Sequence, residues 1–97
     1  MELKINIYGD CVSEEPTKTF TVRRILFKTA KELASLQAES KTAKDEEQEE
    51  ITYRMLKTVI PNIEKEDIDG IDTLELGEFF KQIGAEISKI VGNAQKN

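Results

Sequence analysis

The last third of the chain carries the pattern that most restricts its fold. Leu76, Phe79, Phe80, Ile83, Ile87, Ile90 and Val91 recur at steps of three and four. At 100° per residue they fall in an arc of about 120°, a one-sided helical stripe. Glu75, Glu78, Lys81, Gln82, Glu86 and Lys89 fall on the other side. Asp72-Thr73-Leu74-Glu75 has the spacing of a capping box, with Asp72 as cap and Glu75 reaching back. The pattern predicts a helix over 72–92, closed by Gly92 and followed by a polar tail, 93–97. A helix with one apolar face needs a cover, and the rest of the chain must supply it.

The N-terminus has a different period. Leu3, Ile5 and Ile7 alternate with Glu2, Lys4, Asn6 and Tyr8, which predicts a half-buried strand. Gly9-Asp10 and Ser13-Glu14-Glu15-Pro16 mark a turn. Thr17 to Val22 is a second strand with Phe20 and Val22 on one face. A lone hairpin is marginal in water, so it must pack on the helices.

Between hairpin and final helix lie two further helical patterns. Ile25, Leu26, Ala30, Leu33 and Leu36 share one face of a predicted helix over 23–38. Phe27 lies off that face and has no predicted place. Residues 39–45 form a polar, mobile connector. A second helix covers 46–60, with acids in its first turn, where the helix dipole favours them. Its apolar arc, Ile51, Tyr53, Met55, Leu56, Val59 and Ile60, is wide enough to meet two neighbours, and Pro61 ends it. Residues 61–71 hold a turn or single helical turn offering Ile63, Ile68 and Ile71 for burial. The fold class is therefore α+β: an N-terminal β-hairpin, 1–22, packed on a bundle of about three α-helices. At 97 residues this is a single domain, 1–97, able to bury roughly 60–70% of its unfolded surface.

Chemistry is constrained mainly by what is missing. The chain has no histidine and one cysteine, Cys11. Nucleophiles activated by histidine, zinc sites and an intrachain disulfide are excluded. No Gly-rich phosphate loop occurs, and no carboxylate pair sits in an apolar pocket. A non-enzyme without cofactors is expected. The net charge of −5 and the lack of a basic stripe disfavour nucleic acid and anionic membranes. Charges interrupt the N-terminal apolar residues, so no signal peptide is read and a cytoplasmic location is expected.

Asp67-Ile68-Asp69-Gly70-Ile71-Asp72, with Glu78 beyond, has the look of a calcium loop. The register fails. With Asp67 first, the fifth position is Ile71 and the sixth Asp72, where a ligand and a glycine are needed. With Gly70 sixth, the first and twelfth positions become Lys65 and Leu76. The segment is read as a turn followed by a helix cap.

The succession of hairpin, helix, acidic connector, helix, acidic turn and amphipathic last helix resembles the tail assembly chaperones of long-tailed phages and prophages of Gram-positive bacteria. The most similar stretch runs from Ile63 to Leu76, around the turn Asp69-Gly70-Ile71-Asp72 that opens the last helix. The chain departs from the family at Ile60-Pro61-Asn62. The resemblance implies a chaperone that keeps the tape measure protein soluble and helps the tail-tube protein assemble around it. It further implies absence from the mature virion, and often a longer frameshifted product. It transfers no site residue.

With the resemblance, the acidity and the wide apolar arc of the second helix taken together, the expected partner-binding site is a groove beside Tyr53, Leu56 and Ile60, rimmed by the acids of 45–50, Glu47 and Glu49 among them, and of 64–69. This is the part of the second helix's apolar arc least needed for the core. A homo-oligomer is left open. The rival reading is a generic bacterial interaction domain, regulator or antitoxin-like, that sequesters one partner.

Overall fold

The computed structural model describes residues 2–89. The alternating N-terminus forms β1 (Leu3–Ile7), which pairs antiparallel with β2 (Lys18–Val22). Leu3 lies opposite Val22, Ile5 opposite Phe20 and Ile7 opposite Lys18. This register puts the apolar residues of both strands on one face, as the period of two requires. Ile5, Ile7 and Val22 are buried there, with Leu3 and Phe20 packed at the margin.

Among the described residues four helices follow: α1 (Phe27–Ser40), α2 (Asp45–Val59), α3 (Lys65–Asp69) and α4 (Thr73–Ile87). Two long helices, α1 and α2, pack side by side, and α4 packs on α1 and on β1. Ala30, Leu33, Leu36, Ile51, Leu56, Ile63, Phe79, Ile83 and Ile87 meet the hairpin residues in one core. The α+β arrangement matches expectation, with α3 as a short fourth helix inside the predicted turn segment. Ile63, Ile68 and Ile71 are buried as anticipated. Ile90, Val91, Gly92 and the tail 93–97 lie outside the described residues.

Several boundaries differ from the sequence reading. Helix α1 starts at Phe27, not at 23, because Leu26 is extended at ψ 152°. The first helical bond runs from the Ala30 amide to the Leu26 carbonyl, 2.9 Å. Leu26 is thus half exposed and leaves the predicted stripe. Phe27 is exposed, with the Lys31 ammonium 5.0 Å from its ring centroid. The connector is short and pinned: the Gln48 amide donates to the carbonyls of Ser40 and Ala43, tying the end of α1 to the start of α2. Helix α2 stops at Val59, and Ile60 sits at φ −124°, ψ 86°. That is the non-helical backbone a following proline demands.

Capping chemistry also moved. Asp72 caps α4 by accepting the Leu74 amide, 2.8 Å, as predicted. Glu75 does not reach back; it accepts the Asn6 side-chain amide of β1 at 3.1 Å. The capping box sits instead on α3, between Glu64 and Asp67. Asp67 Oδ2 accepts the Glu64 amide at 3.0 Å, and Asp67 Oδ1 accepts Lys18 Nζ at 3.0 Å.

Gly70 closes the fold onto the sheet. Its carbonyl accepts the Tyr8 amide at 2.8 Å, and Ile71 bridges Ile7. A Cβ on Gly70 would stand 2.8 Å from the Tyr8 carbonyl oxygen and 2.9 Å from Ile7 Cγ2. Its φ is −91°, so glycine is needed here for close approach and not for a left-handed turn.

Candidate protein-binding surface

Each acid of the 67–72 turn that was weighed as a calcium ligand has a structural partner. Asp67 is held by Lys18 and by the Glu64 amide, Asp69 accepts the Tyr53 hydroxyl, and Asp72 caps α4. Among the described residues no group of three or more acids or cysteines is placed to hold a metal ion. The same residues include no helix long and apolar enough to cross a membrane.

The residues expected to form a groove do not lie together on one open surface. Leu56 is fully buried, at 0% exposure, and belongs to the core. Ile60 is buried as well. Helix α2 packs against both α1 and α3, and Leu56 and Ile60 are part of what packs. Tyr53 is half-buried, and its hydroxyl lies within hydrogen-bonding range of both Glu49 and Asp69. It has one proton and donates to one of them at a time. The hydrogen bond to Asp69 first, then burial and then Glu49 push the phenol well above its ordinary range. Lys65 Nζ lies 4.9 Å from the ring centroid. Tyr53 therefore joins α2 to α3. Glu47 and Glu49 are exposed on the solvent side of α2.

Open clefts among the described residues include two of note. The first, about 350 Å³, lies between β1 and α4 and is lined by Glu2, Leu3, Lys4, Glu75, Glu78, Phe79 and Gln82. Its polar groups are of mixed charge, and Glu75 is already engaged by Asn6. The second, about 430 Å³, runs along β2. On one side are Thr19 to Arg24, and on the other Val59, Ile60, Pro61 and Asn62, where α2 ends. Phe20 and Val59 are half-buried in its wall, so they offer apolar surface without leaving the core. Arg23 and Arg24 stand at one end, both exposed. Arg23 approaches Glu2 at 3.7 Å, a solvent-exposed pair of little energetic weight. Arg24 takes part in no ion pair among the described residues.

Of the predicted site residues, only Ile60 lines this groove. Phe20, Val59, Arg23 and Arg24 were not singled out as a site from the sequence. The sole local signal was an arginine pair directly after a strand in an acidic chain. No protein-family profile, curated protein or solved structure was found to match the chain.

Proposed function

We propose that this chain is a non-catalytic protein-binding domain, and that its client is the tape measure protein of a long-tailed phage. The groove along β2 supports the binding reading. It joins apolar walls from Phe20, Val59, Ile60 and Pro61 to an arginine rim, on a surface that the described residues leave open. An apolar groove supplies affinity and a charged rim speeds encounter. The client's identity rests on the resemblance around Asp69-Gly70-Ile71-Asp72. On this reading the protein acts in the host bacterial cytoplasm, assists addition of the tail-tube protein and is left out of the virion.

Co-expression tests the client. The partner is the product of a long, helix-rich reading frame directly downstream. Its soluble fraction should rise when this chain is present, and the two should co-purify. Charge reversal at Arg23 and Arg24 should reduce rescue while leaving the fold intact. A client that stays insoluble, or a neighbouring toxin-like gene in place of such a frame, overturns the phage reading in favour of the generic interaction domain.

A further inference from the structure

We propose that the open edge of β2 binds an extended, acidic segment of a partner protein as an added β-strand. The proposal rests on the reading of this chain as a protein-binding domain, but not on the identity of its client.

The two strands of the hairpin are not equivalent. The outer edge of β1 is capped at its C-terminal end, where Tyr8 donates its amide to Gly70 and Ile7 bridges Ile71. Strand β2 has β1 on one side and no strand on the other among the described residues. Main-chain groups alternate in direction along a strand. The Tyr8 amide points away from β2, and the Ile7 carbonyl accepts the Thr17 amide at 2.7 Å on the β2 side. Ile7, Ile5 and Leu3 therefore face β2, and their partners Lys18, Phe20 and Val22 face β1. That leaves the main chain of Thr19 and Thr21 pointing outward. Such an edge is a template for another strand.

The groove supplies the rest of the recognition. A strand laid along β2 would send alternate side chains over Val59, Ile60 and Pro61 and the others to solvent. Main-chain bonds then give affinity and the groove selects apolar side chains. The groove lining holds Arg23 and Arg24 and no acid, in a chain with 19 acids against 14 bases. The complement is a carboxylate, which an arginine fork can bind through two hydrogen bonds.

Charge also decides against a second copy of this chain. Antiparallel pairing of two β2 strands would bring Lys18 of one beside the Arg23–Arg24 pair of the other, and facing like charges destabilise a sheet.

The test uses the full chain and a dye-labelled peptide of about ten residues, the upper range of strand lengths. The peptide alternates valine with glutamate. Two controls alternate valine with lysine, or carry the valine–glutamate sequence with every second amide N-methylated. The first peptide should give saturable anisotropy, and amide exchange at Thr19 and Thr21 should slow on binding. Both controls should bind about tenfold more weakly or worse, a difference of one lost charge-assisted contact or more. The double variant R23E/R24E should show the same loss with an unchanged melting temperature. Equal binding of the methylated peptide overturns strand addition, and equal binding of the lysine peptide overturns acid recognition. A dimer that the first peptide dissociates would make a second copy the occupant. No saturation at all overturns the whole proposal. If peptide binds but the downstream client is not rescued, the phage reading fails and this one stands. The reverse pair of results removes this one alone.

Discussion

Lys18, in the hairpin, places its ammonium 3.0 Å from the carboxylate of Asp67, 49 positions later in the chain. The lysine side chain is half exposed, whereas that of Asp67 is only 10% exposed. The Glu64 amide, first, and then the Lys18 ammonium hold the Asp67 carboxyl below its ordinary 3.8, against a smaller opposing effect of burial. A depressed carboxylate contributes stability that is complete above its unfolded value and is lost as pH falls through the folded one. Denaturant midpoints of the wild type should therefore drop more steeply below about pH 4 than those of Asp67→Asn. Lys18→Met should retain part of the slope, because the Glu64 bond remains. Identical slopes in all three proteins would show that Asp67 contributes no such pH dependence.

Glycine substitutions should separate by position. Gly70→Ala forces a Cβ to within 2.8 Å of the Tyr8 carbonyl, and that backbone belongs to the end of the sheet. Overpacking of this kind costs about 1–3 kcal/mol. Gly77 lies within α4 with nothing inside 4 Å of an added Cβ. Gly77→Ala should stabilise the protein by roughly 0.5–1 kcal/mol through helix propensity. Thermal melts of the two variants should move in opposite directions.

Core and surface positions on the helices should differ as sharply. Leu56 and Ile83 are 0% and 1% exposed. Leu56→Ala and Ile83→Ala should each cost roughly 2–5 kcal/mol in equilibrium unfolding. Lys81→Ala, on the exposed side of α4, should cost under about 0.5 kcal/mol. Phe80, which packs only at the edge of the core and meets Phe79 edge-on at 5.9 Å, should fall between these limits. Comparable small effects at Leu56 and Lys81 would mean that α2 does not pack as described.

The chain has two tyrosines, and both should ionise late. Tyr8 is raised above 10.0 by burial first and then by Glu75. Tyr53 is raised further, mainly by Asp69. An ultraviolet pH titration should show two phenolate steps above 10.0, with the later one removed by Tyr53→Phe. Asp69→Asn should bring that later step down. Since the folded state holds these protons more tightly, stability should fall as pH rises above 10.0. A step at the ordinary value for Tyr53 would show that its hydroxyl is not held between Glu49 and Asp69.

The sequence by itself determined the elements and their faces. The period of two in Leu3, Ile5 and Ile7 and the period near 3.6 in Leu76, Phe79, Ile83 and Ile87 are local properties of the backbone. Each predicts its own buried side without knowledge of the partner. The Asp72 cap and the stop before Pro61 were legible for the same reason, since both depend on neighbours a few residues away. Tertiary structure alone decided which faces meet. Leu56 and Ile60 gave the same apolar signal as a docking groove would, and only the packing of the other elements around them made both core. Glu75 had capping-box spacing, but Asn6 of the packed strand took its carboxylate. Gly70 looked like a simple turn residue until the Tyr8 backbone closed on it. The groove along β2 was invisible for a related reason. Phe20, Arg23, Arg24 and Val59 are joined by no repeat or spacing, and only packing the end of α2 beside the hairpin puts them on one surface.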